Sequence, residues 1–180
     1  MDDTIEVLLT EEEITSRIVE LGSEITKDYE GKELVFICVM TGAMFFFTEL
    51  AKRVKLPMEV DFIKVSSYGN DTVSSGNVVL KWDVTTDLKG KDVVIVEDIV
   101  DTGNTVHFLK EHFKHKGANS VKICTMLDKP SRREKDVEVD YIGQTIPNAF
   151  VVGYGLDATL GNSDKKLYRN LPYVGIFTKK

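Results

Sequence analysis

The sequence predicts an α/β protein with a mostly parallel central sheet flanked by helices. Short apolar runs rich in β-branched residues alternate along the chain with segments whose apolar residues recur every three or four positions. Such alternation is typical of strands joined by helical crossovers, which make neighbouring strands parallel. A length of 180 residues fits one domain, and no internal repeat or low-complexity linker divides the chain.

The elements follow in order from these patterns. An amphipathic helix is predicted from Thr10 to Tyr29, where Thr10 precedes Glu13 by three residues as in a capping box. Two further helices are predicted at Ala43–Val54 and Thr105–Lys116. Strands are predicted at the apolar runs Leu34–Met40, Met58–Val65, Asn77–Trp82, Val93–Glu97, Val121–Leu127, Tyr141–Ile142 and Phe150–Tyr154.

Two predicted connections are longer than the usual four to six residues. They are Ser66–Gly76, which is rich in serine and glycine, and Asp157–Leu167. By composition alone, a surface hairpin and a functional lid fit each loop equally well.

Charge and cysteine content narrow the class of protein. The 23 Lys and Arg residues against 29 Asp and Glu give a net charge of −6, which argues against binding a nucleic-acid polymer. Cys38 and Cys124 each lie in an apolar run and are expected to be buried free thiols. Without a signal peptide or an apolar run of about 18 residues, we expect a cytoplasmic protein with no membrane partner.

One stretch combines a strand end, carboxylates and a glycine turn. Glu97 and Asp98 follow a buried strand, and the turn around Gly103 leads into the next helix. In open parallel sheets, ligands bind beyond the carboxyl ends of the strands, and a helix N-terminus offers free N–H groups to a phosphate. Carboxylates beside such a site favour sugar hydroxyls and Mg²⁺ as partners. A ligand with phosphate, ribose and metal-bound pyrophosphate would suit both the carboxylates and the helix N-terminus.

Residues Val93–Thr105, which read Val-Val-Ile-Val-Glu-Asp-Ile-Val-Asp-Thr-Gly-Asn-Thr, resemble the phosphoribosyl-pyrophosphate signature of the type I phosphoribosyltransferases. Further matches occur in the family's order at Ser66–Gly69 with Ser74–Gly76, Leu127–Pro130, Phe150–Asp157 and Tyr168–Pro172. Together these matches cover nearly the whole chain, and they resemble the bacterial hypoxanthine-guanine members of the family.

The resemblance implies a fold, an activity and partners. The fold is the type I phosphoribosyltransferase fold, with a core of about residues 30–130, a small hood formed by the N-terminal segment and about residues 130–180, and a flexible lid loop. The activity is transfer of the 5-phosphoribosyl group from phosphoribosyl pyrophosphate to a 6-oxopurine, hypoxanthine or guanine, which releases IMP or GMP and pyrophosphate. The implied cofactor is Mg²⁺, and the implied assembly is a homodimer or homotetramer.

The resemblance also implies roles for individual residues. Asp101 would be the general base near purine N7, and Lys129 would donate to the purine 6-oxygen and reject a 6-amino group. Ribose and the 5-phosphate would be bound by Glu97, Asp98, Asp101, Thr102, Gly103, Asn104 and Thr105, and pyrophosphate by Thr41, Gly42, Ser67, Tyr68 and Arg169. The purine would be bound by Lys129, Phe150, Val151 and Asp157, and Mg²⁺ by Glu97, Asp98 and Asp157.

The chain departs from the family pattern at two places. Thr41 stands where family members often carry Lys or Arg, in a loop where a cis peptide is expected at Met40–Thr41. Ala158 follows Asp157 where most relatives have an aromatic residue, and the segment Ala158–Leu167 is longer than in those relatives.

Two other functions remain open on the sequence. One is a regulatory module of the same fold that senses nucleotides and binds RNA, and the other is a receiver-like phospho-acceptor using Asp98, Asp101, Thr125 and Lys129. A metal site on the third helix is a weaker prediction than a solvated surface, because the spacings of five and three between its histidines do not match helical zinc sites. These histidines are His107, His112 and His115.

Overall fold

The computed structural model describes residues 4–67, 78–159 and 165–178. Its helices are α1 (Glu11–Asp28), α2 (Met44–Arg53) and α3 (Asn104–His115), with a 3-10 turn at Pro130–Arg132. Its strands are β1 (Thr4–Leu9), β2 (Leu34–Met40), β3 (Glu59–Ser67), β4 (Val78–Trp82), β5 (Asp92–Val100), β6 (Ser120–Asp128), β7 (Tyr141–Thr145), β8 (Val151–Val152), β9 (Ala158–Thr159), β10 (Lys166–Leu167) and β11 (Val174–Thr178).

The central sheet has six strands in the order β4-β3-β2-β5-β6-β7. Neighbouring strands from β3 to β7 are parallel, and β4 pairs antiparallel with β3 at one edge. Nearly every residue of β2 and β5 is buried, as expected for parallel strands covered on both faces. The α/β class with a mostly parallel sheet is confirmed.

Helices cover both faces of this sheet. Alternate residues of β2, such as Phe36 and Cys38, pack with α1 and α2, whereas Val35 and Ile37 pack on the opposite face with α3. Cys38 and Cys124 are buried free thiols, as predicted. The two hydrophobic layers fix the positions of the strand ends that carry the acidic residues.

The capping box predicted for the first helix is present. Thr10 Oγ1 accepts the N–H of Glu13 at 3.3 Å, and Glu13 Oε2 accepts the N–H of Thr10 at 2.8 Å. The apolar residues of α1 that recur at spacings of three and four are all buried, namely Ile14, Ile18, Leu21 and Ile25. None of the helices in the three described ranges is both long and apolar enough to cross a membrane.

Residues near the two termini form a second, smaller sheet of three antiparallel strands, β1-β11-β8. The sequence patterns predict no strand at β1 or β11, because each is stabilised by a partner distant in sequence. The strand predicted at Phe150–Tyr154 is shorter than expected. It ends because Gly153, Tyr154 and Gly155 have positive φ values of 94°, 49° and 100°, which turn the chain sharply.

Candidate active site

Two adjacent carboxylates lie near the carboxyl end of β5. Glu97 is 6% exposed, and its Oε1 accepts the N–H of Asp98 at 3.1 Å. Burial raises the pKa of Glu97 well above its ordinary value, and the charge of Asp98 adds to the effect. Burial also raises the pKa of Asp98, although its hydrogen bonds and the charge of Arg169 act in the opposite direction. A bound cation would relieve the repulsion within this buried pair.

The predicted phosphate loop lies between β5 and α3. Gly103 has a φ of 85° and is the residue that precedes the first turn of α3. A side chain at this position would be strained and would crowd Arg133 and Val137. The N–H groups of the first helical turn lack intrahelical acceptors, so this loop is suited to an anion.

Asp101 and Lys129 come together although they lie on different segments. The Lys129 side chain is buried just after β6, and burial lowers its pKa while the charge of Asp101 opposes the shift. Asp101 Oδ1 lies 3.1 Å from Nε of Arg132. The sequence prediction did not include Arg132, because no local pattern marks a contact between the two loops.

The turn after β2 is held between two close contacts. The expected cis peptide is present between Met40 and Thr41. A Cβ atom at Gly42 would overlap the carboxylate of Asp98, and one at Gly155 would overlap the carbonyl oxygen of Gly42. Gly42 therefore allows the predicted pyrophosphate loop to approach the acidic pair. Gly155 was not predicted as a site residue, although its place two residues after Gly153, in the sequence Gly-Tyr-Gly, is a signal that could have identified it.

Asp157 and Arg169 form an ion pair through Asp157 Oδ1 and Arg169 Nη2. Arg169 also donates to the carbonyl oxygen of Gly155, and Lys166 Nζ lies 3.9 Å from Asp157. The structure thus brings together two residues that the sequence analysis assigned to different ligand groups. The residues between them, 160–164, lie outside the described part of the chain.

Phe150 has an exposed ring, unlike most aromatic residues beside a strand. The residue is 56% exposed, and its ring contacts Phe177 edge to face with 5.9 Å between centroids. The next residue, Val151, is buried. An exposed aromatic face next to fixed backbone can stack on a planar base.

The predicted lid lies almost entirely outside the described part of the chain. Ser67 is the last residue of β3, whereas Tyr68 and the rest of the predicted lid lie outside the described residues. Within the described ranges, no three His, Cys, Asp or Glu side chains form a cluster that could hold a metal. His112 Nε2 instead lies 2.9 Å from Asp83, and His115 Nδ1 lies 2.8 Å from the carbonyl oxygen of Glu111.

Comparison with known proteins identifies close relatives. A family model described as phosphoribosyl transferase domain matches residues 5–159. The chain is 47% identical over 178 residues to the hypoxanthine-guanine phosphoribosyltransferase of Streptococcus thermophilus, and the match covers 99% of this chain and 96% of that protein.

Solved structures of phosphoribosyltransferases are also similar to this chain. A hypoxanthine phosphoribosyltransferase from Staphylococcus aureus has a TM-score of 0.89 and 45% identity, covering 96% of this chain and 91% of that one. The hypoxanthine phosphoribosyl transferase of Trypanosoma cruzi, solved to study the role of its C-terminal region in oligomeric state and enzymatic activity, has a TM-score of 0.85 and 37% identity. This second match covers 96% of this chain and 91% of that one.

Proposed function

The chain belongs to the phosphoribosyltransferase family, and on that premise we propose that it is a purine-salvage enzyme. It transfers the 5-phosphoribosyl group from phosphoribosyl pyrophosphate to hypoxanthine or guanine and releases IMP or GMP with pyrophosphate. The relatives named above carry this enzymatic name, so the RNA-binding and phospho-acceptor alternatives are not favoured.

One arrangement supports this function most strongly. The buried Glu97, the partly buried Asp98, the turn at Gly103 and the buried Lys129 lie near or just beyond the carboxyl ends of adjacent parallel strands. Carboxylates suit ribose hydroxyls, the turn suits a phosphate, and a buried cation suits a carbonyl oxygen. The acceptor base and the sugar phosphate would then lie side by side over the sheet edge.

Asp101 is the proposed general base. As the bond between the purine nitrogen and ribose C1 forms and the bond from C1 to pyrophosphate breaks, the purine must lose a ring proton. A carboxylate at Asp101 can accept that proton, and its neighbours Lys129 and Arg132 supply positive charge nearby. Lys129 donates to the 6-oxygen, and Phe150 stacks on the base while the Val151 backbone meets its edge.

Mg²⁺ is the proposed cofactor, and the residues present fit it. Glu97 and Asp98 are adjacent carboxylates, the first buried and the second partly buried, whose pKa values are both raised by burial, and Asp157 is a third candidate ligand. Proteins commonly bind Mg²⁺ through one or two carboxylates together with substrate phosphates and water, so a closed set of three protein ligands is not required. When bound, the ion neutralises charge on the pyrophosphate leaving group.

Pyrophosphate would be held chiefly by backbone N–H groups. Thr41 supplies a hydroxyl where many family members supply a cation, so Arg169 is the proposed cationic contact. To bind pyrophosphate, Arg169 must give up part of its ion pair with Asp157. Ser67 and Tyr68 are proposed to cover this end of the site and exclude water.

A second copy of the chain is the proposed partner, in a homodimer or homotetramer. Val60, Phe62 and Trp82 are 50%, 36% and 53% exposed, and the strand register places them on the face of the sheet that carries α2. Met44 and Phe45 on α2 are also exposed. Large apolar residues grouped at a surface are typical of protein interfaces.

The direct test is an assay with phosphoribosyl pyrophosphate, Mg²⁺ and each purine in turn. We expect IMP from hypoxanthine or GMP from guanine, with an equal amount of pyrophosphate and little product from adenine. Chelation by EDTA is expected to abolish turnover, and excess Mg²⁺ to restore it. Absence of nucleotide with every 6-oxopurine would refute the proposed function.

A further inference from the structure

The segment Lys129–Val137 crosses over the phosphate loop, and we call it the strap. Its backbone N–H groups donate to carbonyl oxygens of the residues that precede α3. Lys129 N donates to Val100 O at 3.0 Å, and the N–H groups of Glu134 and Lys135 donate to Thr102 O at 2.9 and 3.1 Å. The strap therefore holds the loop through the loop's carbonyl groups.

Arg133 completes this set of contacts from its side chain. Its Nη1 donates to Val100 O at 3.1 Å and to Asp101 O at 2.8 Å. Its Nη2 pairs with the carboxylate of Asp128, which is itself buried. The guanidinium thus joins the end of β6 to the start of the phosphate loop in one planar fork.

These contacts determine where the loop's N–H groups point. In a planar trans peptide, the carbonyl of one residue and the N–H of the next point in opposite directions. Holding the carbonyl of Asp101 against Arg133 turns the N–H of Thr102 away from the strap. Holding the carbonyl of Thr102 against the strap backbone does the same for the N–H of Gly103.

A phosphate is repelled by carbonyl oxygens and attracted by N–H groups. Three successive carbonyls, those of Val100, Asp101 and Thr102, are occupied by strap donors. Gly103 suits the arrangement, since its positive φ favours glycine and a Cβ atom there would crowd Arg133 Cδ.

We propose that Arg133 is a positioning residue for the 5-phosphate. It orients the N–H groups of Thr102 and Gly103 by binding the carbonyl side of the loop, and it does not itself touch the ligand. The proposal rests on the proposed function, because it assumes that the loop binds the 5-phosphate of phosphoribosyl pyrophosphate and of the nucleotide product.

The test compares IMP with inosine, which lacks the phosphate. Calorimetry is expected to show that Arg133→Ala weakens IMP binding tenfold or more and changes inosine binding less than twofold. In steady state, KM for phosphoribosyl pyrophosphate rises more than kcat falls. Arg133→Lys is expected to remain weak despite its positive charge, because a single ammonium nitrogen lacks the planar fork with which Arg133 reaches both carbonyls and Asp128. Added guanidinium ion is expected to restore part of the IMP affinity of Arg133→Ala.

Lys135→Ala is the matched control. It removes a positive charge from the same strap while keeping the backbone N–H that bonds Thr102, and it is expected to leave IMP affinity unchanged. Full rescue by Arg133→Lys, or an equal loss in Lys135→Ala, would show that charge alone attracts the phosphate and would overturn the positioning role. Equal losses of IMP and inosine binding would also overturn it. If the proposed function fails instead, the wild-type chain makes no nucleotide and does not distinguish IMP from inosine.

Discussion

Asp101 is the residue on which the proposed proton transfer depends. Asp101→Asn keeps the size of the side chain but removes its ability to accept a proton. We expect phosphoribosyl pyrophosphate binding to be retained and the rate of nucleotide formation to fall by at least tenfold, since a general base usually contributes about 10²–10⁴-fold. Single-turnover kinetics and calorimetry measure the two quantities. Asp136→Asn, an exposed change on the strap, is the control, and an unchanged rate in Asp101→Asn would remove Asp101 from the chemistry.

Lys129 is the residue on which the proposed choice of base depends. Its side chain is buried, so a donor is fixed in a place where water cannot substitute for it. Lys129→Gln is expected to lower the ratio of kcat/KM for hypoxanthine over adenine by about tenfold or more, since a hydrogen bond to a charged group contributes about 1.5–3 kcal/mol. Competition assays with both bases measure the ratio. Lys110→Gln on α3 serves as the control, and unaltered selectivity would contradict the role.

At the scale of residues, the local sequence motif was sufficient to predict the positions of some site residues but not of others. Glu97, Asp98 and the turn at Gly103 are contiguous in sequence, so a strand followed by a helix already places them at one sheet edge. The contacts of Arg132 and Arg133 depend on the path of the strap over a loop 30 residues earlier, and no spacing encodes that path. No local pattern predicts the exposure of Phe150, because aromatic residues beside strands are usually buried; only the family resemblance, which implies that Phe150 binds the purine, anticipates it.

At the scale of elements, the turn after β2 is the most constrained piece of backbone in the site. Gly42→Ala places a methyl group where the Asp98 carboxylate lies. We expect Asp98 to be displaced, KM for phosphoribosyl pyrophosphate to rise and kcat/KM to fall by at least tenfold. Steady-state kinetics and urea unfolding distinguish the effect on the site from an effect on the fold.

Gly31→Ala is the matched control for Gly42→Ala. Gly31 has open space around it but a φ of 76°, so alanine is expected to cost about 1–2 kcal/mol of stability without affecting kinetics. If Gly42→Ala keeps wild-type kinetics, the close contact between the turn and Asp98 has no functional role.

Elements that pair locally were predicted more completely than elements with distant partners. Helix α1 carries its own signals in the capping box and the apolar spacing, and both were confirmed. The strands β1 and β11 pair with each other from near the two ends of the chain, and β8 is only two residues long. Their stability comes from that pairing, which is invisible in a local window of sequence.

At the scale of the whole molecule, Asp61 ties β3 to the chain that leads into β5. Its Oδ2 accepts the N–H groups of Thr85 and Thr86 at 2.8 Å each, and its Oδ1 accepts the N–H of Phe62 at 2.7 Å. Burial alone would raise the pKa of Asp61, but these hydrogen bonds outweigh burial and lower it below 3.8. A lowered folded-state pKa contributes stability above the unfolded value, and this stability is lost as the pH falls through the folded value.

Asp61→Asn is therefore expected to reduce the free energy of unfolding at pH 7 by about 1–3 kcal/mol. The deficit relative to wild type is expected to shrink as the pH falls below 3.8, where Asp61 of the unfolded wild-type chain takes up a proton, until the pH passes the lower folded-state pKa and the folded carboxylate is protonated too. Urea unfolding at a series of pH values above and below 3.8 measures this deficit, with Glu138→Gln at an exposed position as the control. A deficit that does not change with pH would show that the charge of Asp61 is irrelevant to stability.

The proposed assembly makes its own prediction. Val60→Asp places a charge within the exposed apolar face of β3 and is expected to convert the oligomer to monomers, because an unpaired buried charge is costly. Light scattering coupled to size exclusion measures the mass. Val7→Asp introduces the same change at an equally exposed position on β1 and is expected to preserve the oligomer. An unchanged mass in Val60→Asp would assign the interface to another surface.

The small sheet imposes an order on assembly during synthesis. Strand β11 lies between β1 and β8, so both earlier strands lack their partner until residues 174–178 have left the ribosome. Phe150 also lacks a partner until these residues are made, since its carbonyl oxygen accepts the N–H of Phe177 at 2.9 Å. The central sheet can form from residues already translated, because domains fold as synthesis proceeds from the N-terminus. Phe150, the proposed stacking partner of the purine, is thus among the last residues to be fixed in place, and a nascent chain stalled before β11 would hold the proposed phosphate loop without a finished site for the base.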